Sequence, residues 1–224
     1  MLLAFDIETS GLDAEKDFVT VCSTYDGSEA RSYLFVELDQ NGVLVYREDK
    51  EAVVGALCAA LDAAPALAAF NGVRFDVPFI ARAFRVEEAR AAGWLLKCLD
   101  PFEVCKSVAR RTFGLGMLLE LNGMEGKSGS GLAAVEQARN GEFDALSRYC
   151  EDDARLTHEV CVRERLMLPE GFAWRRARPG QLHDAEHPTW LRIERDAAGR
   201  FLPFALVSGG GGAVGLELLA GGGA

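Results

Sequence analysis

The stretch LLAFDIETSGLD, residues 2–13, places two carboxylates, Asp6 and Glu8, inside an otherwise apolar strand. Side chains at i and i+2 of a strand leave from one face, so Asp6 and Glu8 project together while Phe5 and Ile7 turn to the other. Such a pair also fits a strand end where two acids meet water, since acidic residues are mostly exposed. Here the acids lie within the apolar run rather than after it, which is the pattern of a central strand. Two like charges held this close repel each other, and a cation is the usual remedy.

The periodicity around this strand defines the rest of the fold. Residues 18–25 and 31–37 read as strands separated by Asp26-Gly27, with a third at 43–46. Residues 50–63 carry apolar side chains at the 3.6 period of a helix, and 66–70 is a short apolar strand bounded by Asn71-Gly72. A helix is expected over 75–92, with Pro78 in its first turn, then a short strand at 95–99. Helices follow at 102–111, 115–121, 132–139 and 142–167. Strands first, then β/α alternation, then helices, specify an α/β domain with a mixed β-sheet flanked by helices.

A chain of 224 residues holds one well-buried core. The expected organisation is one domain over residues 1–168 and a C-terminal extension over 169–224, in which 189–193 and 201–207 form a hairpin before a flexible Gly/Ala-rich tail. No apolar run approaches the roughly eighteen residues of a membrane span, and the first apolar run stops at Asp6 with no basic segment ahead of it. The expectation is an intracellular protein, cytoplasmic or nuclear, with no membrane partner and no cleaved signal peptide. The six cysteines form no CxxC pair, so zinc and redox motifs lack support and reduced thiols are expected. A net charge of −10 does not exclude a polyanionic partner, because a nucleic-acid enzyme needs only a local basic track.

Two further acidic clusters stand out. In FNGVRFDVPF, residues 70–79, Asp76 falls at the start of a helix, near the C-terminal end of a strand where α/β folds put their ligands; a first-turn acid complementing the helix dipole is the plainer role. In RYCEDDARLT, residues 148–157, Tyr149 and Asp153 share one helical face. The inward stripe Leu146, Tyr149, Asp153, Leu156 and Val160 sets Asp153 among apolar positions, whereas Asp152 falls with Arg148 and Arg155 on a solvated face. A buried Asp153 requires a cation, a salt bridge or a hydrogen-bond network. Together Asp6, Glu8, Asp76 and Asp153 make an all-oxygen donor set suited to two divalent ions, Mg²⁺ or Mn²⁺, and poor for zinc. Two such ions about 4 Å apart bind the attacking and leaving oxygens of an in-line phosphoryl displacement, and Tyr149 is placed to orient the attacking water.

The chain resembles the DEDD 3′-to-5′ exonuclease superfamily with the ribonuclease H-like fold. FDIETSGL is similar to its first motif, NGVRFD to its second, and YCEDD to its third in the tyrosine form, Tyr-x-x-x-Asp, known as DEDDy. The segment KSGSGLAAVEQARNGEFDALSRYCEDDARLT is most similar to stand-alone exonucleases related to the proofreading domain of family B DNA polymerases, and the resemblance covers about residues 1–165. It implies metal ligands Asp6, Glu8, Asp76 and Asp153, with Tyr149 beside the nucleophilic water. The histidine branch would place His at position 148, which is Arg; His158 is expected to be a packed or surface helical residue.

The resemblance also implies that Thr9, Gly11 and Leu12 approach the terminal nucleotide and that Asn71 and Phe75 border the DNA terminus, although Asn71 also serves the turn and Phe75 also serves packing. Lys97, Lys106, Arg110, Arg111 and Lys127 form a basic excess, and Lys127-Ser128-Gly129 reads as a phosphate-contacting turn. Arg175, Arg176 and Arg178 form a second basic cluster with no motif behind them. The expected function is a two-metal-ion 3′-to-5′ exonuclease acting on the 3′ end of single-stranded or frayed DNA, with replication or repair proteins as partners. An exoribonuclease with the same site and a non-catalytic module that binds nucleic acid or the replisome are the alternatives.

Overall fold

β1 (Leu2–Thr9) is the middle strand of a five-stranded sheet whose order is β3-β2-β1-β6-β7. The structure is a computed structural model that describes residues 2–103, 106, 112–163, 165–167, 190–192, 205–207 and 213–214. On one side β1 pairs antiparallel with β2 (Val19–Tyr25), and β2 with β3 (Ala30–Leu34). On the other side it pairs in parallel with β6 (Ala66–Ala68), and β6 with β7 (Cys98–Leu99). The sheet is thus mixed, as the β-meander followed by β/α alternation requires. Because β1 and β6 are parallel neighbours, the loops that follow both open at the same edge. That edge carries the acids.

The two faces of the sheet serve different cores. Leu3, Phe5 and Ile7 pack in the larger core with α1 (Lys50–Ala63), α2 (Asp76–Ala83) and α3 (Glu88–Leu96). On the other face of the sheet, Val21 of β2 meets Ala134 and Ala138 of α5 (Gly131–Asn140) and Leu146, Tyr149 and Cys150 of α6 (Phe143–Val162). The stripe along α6 is buried, with Leu146, Tyr149, Asp153, Leu156 and Val160 all turned inward. Asp152 is only half-buried and pairs with Arg155. Ser130 caps α5 by accepting the Ala133 amide at 3.4 Å, and Gly141 closes it with φ 73°.

Three elements differ most from the sequence expectation. The helix expected over 75–92 is two helices, because Arg85 takes a left-handed φ of 52° and the Val86 amide reaches back to the Ala81 carbonyl. The turn allows Phe84 to pack on Phe35 at 4.6 Å between ring centroids. The strand expected over 31–37 divides at Phe35, whose amide donates to the Thr20 carbonyl; β4 (Val36–Leu38) then pairs with β5 (Leu44–Tyr46) in a separate two-stranded sheet. The helix expected to reach 167 stops at Val162, and β8 (Arg165–Met167) pairs with β9 (Trp190–Arg192) instead. Strand pairing overrides the helical pattern there.

The chain divides into two units. The first comprises residues 1–101 and 127–159 and holds the five-stranded sheet; the second comprises 102–126 and 160–224. Within the second, β8, β9, β10 (Ala205–Val207) and β11 (Ala213–Val214) form an antiparallel sheet in the order β11-β10-β9-β8. Asn122, at the end of α4 (Leu115–Leu121), clips β8 by accepting the Met167 amide at 2.6 Å and donating to the Met167 carbonyl at 2.9 Å. Most of the helix expected over 102–111, the Arg175, Arg176 and Arg178 cluster and most of the Gly/Ala-rich tail lie outside the described residues. Among the described residues, no helix is long and apolar enough to cross a membrane. Among the described residues, Cys22, Cys58, Cys98, Cys150 and Cys161 form no disulfide.

Candidate metal centre

Asp6 and Glu8 leave the α6-facing side of β1, as the strand period dictates. Opposite them, one helical turn separates Tyr149 from Asp153 on α6. Ligand oxygens of Asp6, Glu8 and Asp153 lie within 4.8 Å of one another. Asp76, the first residue of α2, is buried beside this trio, and its Oδ1 accepts the Ile7 amide at 3.2 Å. Ile7 is the residue between Asp6 and Glu8, so the backbone that carries two of the acids is hydrogen-bonded to another.

The electrostatics are those of an anionic cluster held away from water. Burial and the carboxylates of Glu8, Asp76 and Asp153 push the Asp6 carboxyl well above its ordinary range, with Lys127 opposing. Glu8 is pushed up to about 8 by burial and by Asp153 and Asp76, against the pull of Lys127. Asp76 is pushed up to about 7 by burial, which outweighs the Ile7 hydrogen bond, and by Asp100 and Asp153. Asp153 is raised by burial, although Lys127 and a hydrogen bond from Tyr149 oppose the shift. The four acids resist ionising together unless positive charge joins them.

Lys127 supplies part of that charge. Its Nζ lies 2.5 Å from Asp153 Oδ2 and 5.2 Å from the centroid of the Tyr149 ring. Burial disfavours its ammonium, but Asp153 and hydrogen bonds to Asp153 and Tyr149 win, and its pKa rises. The other oxygen of Asp153, Oδ1, is buried with no hydrogen-bond partner among the described residues. A buried carboxylate with one unsatisfied oxygen, grouped with two further carboxylates in an all-oxygen donor set, fits a Mg²⁺ or Mn²⁺ ion.

The segment before α5 shapes this wall. A Cβ placed on Gly129 would lie 3.2 Å from Cδ2 and Cε2 of Tyr149, so the backbone there lies close on the ring. Tyr149 is held away from ionisation mainly by burial, against the Lys127 hydrogen bond and with the charge of Asp153 adding to the shift.

Thr9, Gly11, Leu12, Asn71 and Phe75, expected to approach nucleic acid, lie at the end of β1 or in the segments that follow the parallel strands β1 and β6. The Thr9 hydroxyl donates to the Gly11 carbonyl at 2.6 Å, and Leu12 is 85% exposed. A Cβ on Gly11 would run into the Asp17 carboxylate, which ties the loop by accepting the Asp13 amide at 2.9 Å. Asn71 takes φ 67°, and Phe75 packs on Phe79 at 5.4 Å. Of the other basic residues, Lys97 donates to the Asp62 and Ala64 carbonyls, Lys106 lies 3.6 Å from Glu103, and Arg110 and Arg111 lie outside the described residues. His158 meets Tyr25 edge-on at 5.3 Å.

Two residues at the centre carried no sequence signal that singled them out. Cys150 donates from Sγ to the Asp6 carbonyl at 3.3 Å and lies 3.7 Å from Asp6 Oδ2. Asp100 accepts the Asn71 amide at 2.9 Å and the Val73 amide at 3.0 Å. Its one legible trait is an acid directly after a short strand, as Glu8 is near the end of β1.

The sequence model of the RNase_H superfamily matches residues 3–163. A sequence search of curated proteins gives no match. Among solved structures, the family B DNA polymerase from the hyperthermophilic archaeon Pyrobaculum calidifontis is similar in fold, with a TM-score of 0.53 and 16% identity over 71% of this chain and 24% of the polymerase. Exonuclease I aligns with a TM-score of 0.44 and 14% identity over 87% of this chain and 52% of its own. The chain thus spans about a quarter of the polymerase and about half of exonuclease I.

Proposed function

The chain belongs to the RNase_H superfamily, and from that premise we propose that it is a metal-dependent 3′-to-5′ exonuclease of the DEDDy type, which hydrolyses the terminal phosphodiester of single-stranded or frayed DNA and releases nucleoside 5′-monophosphates. The observation that carries this reading is the convergence of Asp6, Glu8 and Asp153 within 4.8 Å. Asp76 is bonded to the peptide between the first two.

Two divalent ions held by Asp6, Glu8, Asp76 and Asp153 would activate water and neutralise phosphate charge. The chain itself does the positioning. Tyr149 keeps its proton, because burial raises its pKa, so its hydroxyl orients the attacking water by hydrogen bonding and does not act as a base. Lys127 keeps its charge and offers an ammonium to the scissile phosphate at the wall formed by Asp153 and Tyr149. Leu12, Asn71 and Phe75, on loops that follow the parallel strands β1 and β6, receive the terminal bases.

A 5′-labelled single-stranded oligonucleotide incubated with Mg²⁺ or Mn²⁺ tests the reading. The expected result is a ladder shortening from the 3′ end and lost in Asp153→Ala. No ladder, or one undiminished by that substitution, contradicts it. A matched RNA oligomer in the same assay separates the two substrate classes, and faster cleavage of RNA assigns the site to RNA.

A further inference from the structure

We propose that Asp100 is a positioning residue of the carboxylate centre: by holding the turn at residues 71–73 it sets Asp76 against β1 and fixes how Asn71 and Phe75 are presented. Only the cleavage arm of its test rests on the exonuclease reading above.

The sheet register brings Asp100 to this turn. β6 and β7 pair in parallel with Leu67 opposite Cys98 and Ala68 opposite Leu99, so the residues that follow the two strands emerge side by side. Asp100, 5% exposed, then accepts the Asn71 amide on Oδ1 at 2.9 Å and the Val73 amide on Oδ2 at 3.0 Å. Only an ionised carboxylate accepts through both oxygens without carrying a proton of its own, and such bonds are stronger than neutral ones.

The turn needs that support. Asn71 is not a glycine, yet its φ is 67°. Gly72 has no room for a side chain, because a Cβ there would collide with the Cβ of Ala69. From the turn, the Asn71 carbonyl accepts the Phe75 amide at 2.9 Å and the Gly72 carbonyl accepts the Val77 amide at 2.9 Å. These bonds pass the turn's geometry into the first residues of α2, where Asp76 reaches the Ile7 amide. Hydrogen bonds joined by short stretches of backbone therefore link Asp100, through the turn and the first residues of α2, to the peptide between Asp6 and Glu8. Asp100 also acts on Asp76 as a like charge, which strengthens the demand of that end of the site for a cation.

The test compares the full chain with Asp100→Asn, which keeps the volume but offers an NH2 group where one amide needs an acceptor. Asp62→Asn is the control. It disturbs a carboxylate bonded to Arg90 and Trp94 on another part of the sheet unit. Three quantities are read: hydrogen exchange at the amides of residues 71 and 73, Mn²⁺ affinity by electron paramagnetic resonance, and kcat and KM on the labelled oligonucleotide. Asp100→Asn is expected to melt cooperatively, exchange those two amides faster, and weaken Mn²⁺ affinity by about 10- to 100-fold with a similar fall in kcat. Asp62→Asn is expected to lower the melting temperature and leave Mn²⁺ affinity unchanged.

The double variant Asp100→Asn, Asn71→Gly gives the turn a residue that accepts positive φ freely, and it is expected to regain Mn²⁺ affinity relative to Asp100→Asn. Should Asp100→Asn not fold, the double variant is compared directly with Asn71→Gly, and equal Mn²⁺ affinity in the two overturns the proposal. Wild-type Mn²⁺ affinity and wild-type kcat in a folded Asp100→Asn protein overturn it as well, since a role confined to stability predicts that result. If the wild type cleaves no oligonucleotide, the exonuclease reading fails, while the exchange and Mn²⁺ arms still decide the role of Asp100.

Discussion

Asp76 Oδ1 accepts a hydrogen bond from the main-chain amide of Ile7 at 3.2 Å, so an acid on α2 is fastened to the peptide that joins two acids on β1. The contact is buried and spans 69 positions of the sequence. It makes Asp76 both a candidate ligand and a clamp on the strand. Asp76→Ala removes both, whereas Asp76→Asn keeps an acceptor for Ile7 and loses only the charge. Both variants are expected to lose about 100-fold or more in cleavage rate. Only Asp76→Ala is expected to lose stability as well, by about 1–3 kcal/mol from the orphaned amide; urea unfolding without metal separates the two.

The raised carboxyl pKa values give the metal-free protein a defined pH dependence. Glu8 at about 8 and Asp76 at about 7 lie above their unfolded values near 4. The folded state therefore binds more protons than the unfolded state between those limits, and stability falls as pH rises through the window from about 4 to 8. Melting temperatures measured in EDTA are expected to drop across that range. Added Mn²⁺ is expected to raise the melting temperature more at pH 8 than at pH 5, because protons compete with the ion at the lower pH. A melting temperature that climbs from pH 5 to 8 in EDTA contradicts the assignment.

Much of this centre is legible in the chain itself, for identifiable reasons. The shared face of Asp6 and Glu8 follows from the two-residue period of a strand, and the inward placement of Asp153 follows from the apolar stripe around it on α6. Both are local patterns. The break at Arg85 is not legible, because a left-handed position filled by arginine lacks the glycine that normally marks one. Asp100 is hidden for a different reason: its partners lie 29 and 27 positions away and meet it only once β6 and β7 pair. The contact of Cys150 with Asp6 spans 144 positions and depends on how α6 lies across β1. The end of α6 at Val162 depends on the pairing of β8 with a strand that begins at Trp190.

Lys127 sits 2.5 Å from Asp153, and its removal leaves that carboxylate without its positive neighbour. Lys127→Met is expected to lower kcat by about 10- to 100-fold. In EDTA it is expected to destabilise the fold by about 1–3 kcal/mol at pH 8. The loss should shrink at pH 5, where Asp153 takes up a proton more readily. Equal destabilisation at the two pH values contradicts the ion pair as the cause.

Gly129 tests the placement of Tyr149. A Cβ at this position would press on the ring at 3.2 Å, so a side chain there requires the ring to give way. Gly129→Val is expected to displace the ring and lower kcat by about tenfold or more. Because Tyr149 is buried in the core, the melting temperature is expected to fall as well, and kcat is compared on protein that still unfolds cooperatively. Tyr149→Phe is expected to give a similar fall in kcat with KM for the oligonucleotide unchanged. A wild-type kcat in both variants removes Tyr149 from the reaction.

The proposed function requires Asp6, Glu8, Asp76 and Asp153 together to hold the catalytic ions at the end of β1. Anomalous diffraction from a crystal of the protein with Mn²⁺ and a short single-stranded oligonucleotide measures this directly. Manganese peaks are expected about 2 Å from oxygens of these four carboxylates, with the 3′-terminal phosphodiester against them. Manganese bound elsewhere, or no peak among the four acids with the oligonucleotide in place, contradicts it.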